Sequence, residues 1–286
     1  MKKDFMINGF AALYSKLGGN YWRGRYWVDK KARKLVGRNI KFKDIHKGQR
    51  CFVLGNAPSL REIDFDLLKK EYVFTVNSVM LMDGYDKLNI NYHFWMDPVN
   101  FNITSDGVEV DISQMVKNMS EIGRQKDIEC FVPYFAYDFV TDNNLDLSLN
   151  INYIYAGKPL KANSKTVVLN KMTYGVNLTI QYAIMTAIYM GFSEIYLIGV
   201  EETAIIGLLQ DGYVKHAYSK EDAAHVKVNK KWVEETVTGY AKAFIEYRLL
   251  MELCLRNGIL LRNCTPNSLV ESIPYIDFNE LKGISN

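Results

Sequence analysis

Between Arg50 and Glu62 an apolar run, Cys51-Phe52-Val53-Leu54, stops at Gly55, and a helix-start signal follows within a few residues. No other stretch constrains the fold as tightly. Such a run reads as a strand buried on both faces, the kind found in parallel sheets covered by helices, and a glycine lets the chain turn sharply at its end. Ser59 and Glu62 have the S-x-x-E spacing of a capping box, in which the Ser oxygen accepts an amide of the first helical turn and the Glu reaches back to the cap. At a strand–glycine–helix corner of this type, free amides and the positive end of the helix dipole favour an anionic ligand.

The pattern recurs along the chain. Tyr72-Val73-Phe74-Thr75-Val76 runs into Asn77, and Tyr92-His93-Phe94-Trp95-Met96 runs into Asp97-Pro98. Ligands bind outside the carboxyl ends of strands in open parallel sheets, so Asn56, Asn77 and Asp97 are expected on one rim. A single Asn at a strand end is an ordinary turn residue; three polar residues in register argue for more. A helix is expected near Ile112 to Ile122 and a strand at Glu129 to Pro133, whereas residues 136–170 read as loop with one strand candidate at Ile151 to Tyr155. Val176, Ile180, Ala183, Ile184, Ala187 and Ile188 then share a helical face, with Gly191 placed for a left-handed cap. The strand Glu194 to Gly199 follows and delivers Glu201 to the same rim. Residues 202–231 are irregular, contain Gly207, Gly212, His216 and His225, and leave the active edge directly, which fits a lid. A helix from Trp232 to Arg256 and a strand from Ile259 to Asn263 complete the core.

With 286 residues, 48% of them hydrophobic, the chain can bury one generous α/β core. No apolar run is long enough to span a membrane, and Met1-Lys2-Lys3-Asp4 does not open a secretory signal, so a cytoplasmic location is expected. Cys51, Cys130, Cys254 and Cys264 are scattered, with no C-x-x-C pair and no histidine at ligand spacing, which points to neither a zinc site nor a disulfide framework. The net charge of +3 is uneven: residues 1–50 carry 14 Lys or Arg against 3 Asp or Glu, a balance of +11, leaving −8 for the rest. In this leader, taken as residues 1–49 ahead of a domain at 50–286, cations alternate with rings, as in Tyr21-Trp22-Arg23-Gly24-Arg25-Tyr26-Trp27. Two readings stand side by side: an arm meeting the inner, anionic face of a membrane, or an arm packed on the main domain or on a second copy. Nucleic acid is not expected as a partner, because the remainder is acidic and carries no recognised binding motif.

Gly55-Asn56-Ala57-Pro58-Ser59-Leu60 resembles the G-N-G-P-S-L start of the bacterial sialyltransferases of glycosyltransferase family forty-two, and is similar to a broader group of bacterial and archaeal proteins that share that core. Further blocks carry the resemblance. Val76-Asn77 stands where those enzymes have Cys-Asn, Thr173-Tyr174-Gly175-Val176 resembles T-S-G-V, the run from Gly191 to Gly199 resembles G-Y-K-E-I-Y-L-S-G, and Thr265 to Leu269 resembles C-P-N-S-L. The resemblance implies a Rossmann-like, mostly parallel sheet flanked by helices, a variant of the GT-A fold that works without a metal or cofactor. It implies that Asn56, Ser59, Asn77, Thr173 and Tyr174 lie around a cytidine nucleotide, CMP-linked to the donor sugar in the sialyltransferases, with Asp97 near that sugar; Gly55, Lys171, Gly175 and Glu201 complete the expected donor site. The acceptor it implies is a surface glycan or glycolipid.

The family's catalytic positions do not carry over. Where its general-base histidine lies, this chain reads Glu234-Glu235-Thr236-Val237, its leaving-group tyrosine is Thr203, and its arginine is Lys171. His216, in Lys215-His216-Ala217-Tyr218, is the expected base and His225 the second, since a histidine titrating near neutrality suits the proton of an acceptor hydroxyl. Tyr213, Tyr218 and Lys171 are candidates for stabilising the departing phosphate. Asp64-Phe65-Asp66 matches the metal-binding D-x-D in letters but not in position, and reads as solvated carboxylates. Two other functions remain open: magnesium- and ATP-dependent pyrophosphokinase activity on a hydroxymethylpterin, and nucleotide binding without catalysis, with or without a homo-oligomer.

Overall fold

A computed structural model describes residues 20–102, 111–123, 127–206, 213–214, 226–227 and 233–281. Seven strands form one parallel sheet: β1 (Arg50–Leu54), β2 (Tyr72–Val76), β3 (Ile90–Phe94), β4 (Glu129–Pro133), β5 (Asn150–Ile154), β8 (Glu194–Ile198) and β11 (Leu260–Asn263). Their spatial order is β11-β8-β1-β2-β3-β4-β5. The chain therefore winds outward from β1 to β5, then returns to lay β8 on the other flank of β1. β1 is buried along its whole length, as its apolar run requires. The result is an α/β, Rossmann-like, mostly parallel sheet with helices on both faces.

Each face carries its own core. On one, Phe52, Leu54 and Tyr196 pack with α3 (Ile112–Ile122), α4 (Tyr137–Asp142) and the chain's early helices, α1 (Asn20–Val28) and α2 (Lys30–Gly37). On the other, Val53, Phe74, Phe94 and Leu197 meet α5 (Thr179–Met190), which α6 (Val233–Arg256) covers. Eleven of the twelve residues of α5 are buried, so this helix is covered all round rather than on one stripe. Its carboxyl end is closed by Gly191 at φ +87, and the following Ser193 amide donates to the Gln49 carbonyl at 2.8 Å, beside the start of β1. The amino end of α5 consequently points to the carboxyl edge of the sheet.

Three local expectations change. The segment after β1 is not a helix but two short 3₁₀ turns, Pro58–Glu62 and Phe65–Leu68, and the Ser59–Glu62 capping box is not formed: Ala57 caps the first turn without a side-chain bond, and Glu62 is exposed. Asp64 and Asp66 serve those turns, Asp64 accepting the Asp66 amide at 3.1 Å and Asp66 pairing with Lys69 at 2.9 Å. Residues 136–170 contain α4, β5 and β6 (Ala156–Pro159), the last pairing with β7 (Thr173–Gly175) in a two-stranded ribbon. Residues 40–48 are fixed at the amino edge: Asp44 and His46 amides donate to Tyr189 and Met190 carbonyls, and the His46 ring stacks on Phe192.

From residue 20 onward the basic segment lies against the domain. Tyr26, Ala32 and Val36 are buried, Tyr26 meets Tyr155 edge to face, and Asn39 Nδ2 donates to the Tyr153 and Leu169 carbonyls at 2.8 and 3.0 Å. Asp29 fixes the corner between α1 and α2 by accepting the Ala32 amide and the Tyr134 hydroxyl. Trp27, Val28, Ile40 and Ile45 stay exposed among lysines. No helix among the described residues is long and apolar enough to cross a membrane.

Candidate functional site

β1 and β8 are neighbours, yet the chain leaves β1 toward β2 on one flank and leaves β8 toward β11 on the other. Where connections diverge in this way a crevice opens at the carboxyl ends of the strands. The two strands first continue together for a short distance: the Gly55 amide donates to the Ile198 carbonyl at 2.8 Å and the Ala57 amide to the Gly199 carbonyl at 3.2 Å. A Cβ on Gly55 would lie 2.1 Å from the Gly199 carbonyl oxygen. Glycine is thus required by backbone contact between two strand ends, a packing reason distinct from ligand approach.

Beyond this contact, Glu201 reaches across and its Oε1 accepts the Ser59 amide at 2.8 Å. The amide expected to be free for an anion is taken by a carboxylate 142 residues away. Residues 263–269 hold Glu201 in place. Thr265 Oγ1 accepts the Val200 amide at 3.0 Å, Ser268 Oγ donates to the Val200 carbonyl at 2.6 Å, and the Leu269 amide donates to the Glu201 carbonyl at 2.8 Å. The Thr-Pro-Asn-Ser-Leu block is therefore a strap on the β8 end.

Asn56, Asn77 and Asp97 follow β1, β2 and β3 and share one rim. Asn77 sits at φ +51, a left-handed conformation that Asn tolerates, with its amide donating to the Phe94 carbonyl and its carbonyl accepting from Trp95 Nε1. Under it, His93 is fully buried against Thr75, and desolvation pulls its pKa down to about 3. Asp97 caps the turn after β3 through the Val99 amide at 3.0 Å. It is open to solvent yet surrounded by enough protein that desolvation raises its pKa against that hydrogen bond, as befits a side chain in a concave place.

Thr173, Tyr174 and Gly175 form β7, joined to the end of β5 through the Thr173 amide and the Tyr155 carbonyl at 2.8 Å. Thr173 is buried, Tyr174 is half-buried against the core that contains α5, and Lys171 is exposed. The loop then reaches Asn177, whose amide and Nδ2 donate to the two carboxylate oxygens of Glu246 at 2.8 and 3.1 Å. The next residue of α6, Tyr247, donates its hydroxyl to Glu202 Oε1 at 2.6 Å. Consecutive side chains of one helix thereby tie the loop before α5 to the loop after β8. Through Glu201 and Ser59 the tie extends to the Gly55 corner.

Desolvation raises both carboxyls of this tie. Glu246 is pushed up to about 7, against the hydrogen bonds from Asn177. Glu202 is raised by burial, with Tyr247 opposing and the neighbouring Glu201 charge adding to it. Glu202 also holds φ +55, unusual for a residue with a long side chain. Neither Glu202, Glu246, Tyr247 nor Asn177 is marked by a motif. The sequence signal that could have found Glu202 is its place, one residue past a polar strand end.

The chemistry of the rim is unfinished. Ser59 Oγ, Asn77 Oδ1, Asn100 Nδ2, Thr173 Oγ1 and Glu201 Oε2 are buried polar atoms without a hydrogen-bond partner; they make up five of the nine such atoms among the described residues. Each stands at or just beyond the carboxyl end of a strand or on the adjoining ribbon. Native interiors satisfy nearly all such groups, so these five call for ordered water or for a ligand that enters with local side-chain rotation.

Several expected site residues fall elsewhere. His216, His225 and Tyr218 lie outside the described residues, as does most of the segment expected to be a lid. Tyr213 begins β9 (Tyr213–Val214), which pairs antiparallel with β10 (Val226–Lys227).

No protein-family model matches the chain, and no curated protein matches it in sequence. Among solved structures it is similar to the sialyltransferase CstII of Campylobacter jejuni in complex with cytidine-5'-monophosphate, at 18% identity and a TM-score of 0.44, covering 80% of this chain and 85% of that one. It is also similar to the MAf glycosyltransferase of Magnetospirillum magneticum AMB-1, at 10% identity and a TM-score of 0.45, covering 86% of this chain but 38% of that one.

Proposed function

We propose that this chain is a glycosyltransferase that takes a sugar from a nucleotide donor bound at the β1/β8 crevice. The observation that carries the reading is the set of unpartnered buried polar atoms on the rim, from Ser59, Asn77, Thr173 and Glu201, gathered from four separate segments around a topological switch point. A ligand rich in hydroxyls, amides and phosphate oxygens supplies what these atoms lack. In this reading Asn56, Ser59, Asn77, Thr173, Tyr174 and Gly175 line the nucleotide, and Asp97 stands toward the sugar. The sequence blocks around Gly55 and Thr173 favour a cytidine monophosphate donor of the sialic acid type. A glycan on a lipid carrier is the acceptor in this reading, with Trp27 and Val28, exposed beside Lys30, as the contact with the lipid surface.

Thermal unfolding with CMP, UDP, GDP and ATP tests the donor site. A ligand at 100 times its dissociation constant adds about 2.7 kcal/mol of stability. CMP is expected to raise the melting temperature most. Indifference to all four nucleotides rejects the reading.

A further inference from the structure

We infer that Glu202 is the general base of the transfer, held in position by Tyr247. This rests on the transferase reading of the crevice and names the group that would remove the acceptor's proton. Glu202 follows Glu201 directly beyond the switch point, at the same carboxyl edge of the sheet as the unpartnered polar atoms. One oxygen, Oε1, is fixed by the Tyr247 hydroxyl at 2.6 Å, and Tyr247 is itself fully buried on α6. A carboxylate anchored through one oxygen keeps the other in a defined direction for proton transfer. The residue remains half-buried, not sealed in the core.

Its backbone strengthens the case. A tie between the β8 loop and α6 does not need a left-handed residue bearing a long acidic side chain; an extended segment would serve without strain. The φ of +55 is retained at a residue in the crevice, the setting in which strained conformations accompany function. The groups facing Glu202 among the described residues are Glu201 on its own loop and Tyr240 and Tyr247 on α6, with Glu246 next to Tyr247. None of them is a cation. Burial and the Glu201 charge therefore act together to make the carboxylate a better proton acceptor, with the tyrosine hydrogen bond opposing them.

The step balances simply. The acceptor hydroxyl passes its proton to Glu202, its oxygen bonds to the anomeric carbon, and the bond from that carbon to the donor phosphate oxygen breaks. The electron pair leaves with the nucleoside phosphate.

The test measures nucleotide release from CMP-N-acetylneuraminic acid, UDP-N-acetylglucosamine and GDP-mannose by the full chain, with oligosaccharide acceptors, beside a CMP thermal shift. Glu202→Gln is expected to lower turnover about 100-fold or more, the scale of a lost general base, with the CMP shift retained. Tyr247→Phe removes the donor that favours the ionised form, so the acid limb of its pH–rate profile should move to higher pH, which a purely structural tie would not produce. Turnover within about threefold of native in Glu202→Gln, or dependence on His216 or His225 without dependence on Glu202, overturns the assignment and leaves the transferase reading intact. Native protein that binds CMP but releases nucleotide from no donor removes both the base and the transferase reading, with nucleotide binding left standing.

Discussion

The two edges of the sheet are built from the same strands and behave oppositely. At the amino edge, Arg50 forks onto Glu71 at 3.1 and 2.5 Å, His46 bridges Gln49 and Tyr92 at 2.9 and 2.6 Å, and Lys41 pairs with Glu129 at 2.9 Å. At the carboxyl edge the Glu202 and Glu246 carboxyls are raised, and Ser59, Asn77, Thr173 and Glu201 keep buried oxygens without a partner. Ion pairs and bridged rings brace one end, although Arg50 Nη1 lacks a partner there, while five of the nine unpartnered buried polar atoms among the described residues gather toward the other. Where a fold leaves polar groups unsatisfied, it forgoes stability for a ligand's contacts.

Breaking the amino edge gives the largest effect. Glu71→Ala leaves Arg50 buried without its partner and is expected to cost about 3–5 kcal/mol in denaturant unfolding, with CMP affinity unchanged in whatever folded fraction remains. The reverse change belongs to the rim. Thr173→Val removes an unpartnered buried hydroxyl at constant shape, so unfolding should become neutral to about 1 kcal/mol more favourable to the folded state while CMP affinity falls, measured by titration calorimetry. Equal losses of stability and affinity would erase the distinction between the edges.

The smallest effect sharpens the comparison through pH. Glu246 has a folded pKa of about 7, above its ordinary value, so folding favours its protonated form. Its contribution to stability is greatest below the ordinary glutamate range and is lost as pH rises toward 7. Glu246→Gln, which stays neutral, should match native protein near pH 4 and exceed its melting temperature increasingly up to pH 7, with a constant gap above. Partial exposure screens the difference, so a gap of a few degrees is expected. A gap that narrows as pH rises contradicts the raised pKa.

Particular residues explain what could be read in advance. The apolar runs at 50–54, 72–76, 90–94, 129–133, 194–198 and 260–263 are strands because they are short, β-rich and interrupted by turn residues, signals that are local. Asn56, Asn77, Asp97 and Glu201 share a rim for the same reason: strand ends in a parallel sheet point one way. The helix after β1 was not legible, since Ser59 and Glu62 carry a cap signal while the Ser59 amide is captured by Glu201 from β8. α4 escaped notice because six residues, Tyr137–Asp142, are too few for a period to stand out. Tyr26, Ala32 and Val36 hid among lysines and arginines, although the spacing of the last two puts them on one face.

Sequence by itself determined the sheet, its two apolar faces and the polar character of one edge, because those follow from the periodicity of neighbouring residues. Only tertiary structure decided that Gly55 meets Gly199, that Glu201 closes the first turn, and that Glu246 and Tyr247 seize Asn177 and Glu202. Those contacts join residues tens to more than a hundred positions apart. Which side chain captures a distant amide depends on the order in which strands lie in the sheet, and local pattern carries no record of that order.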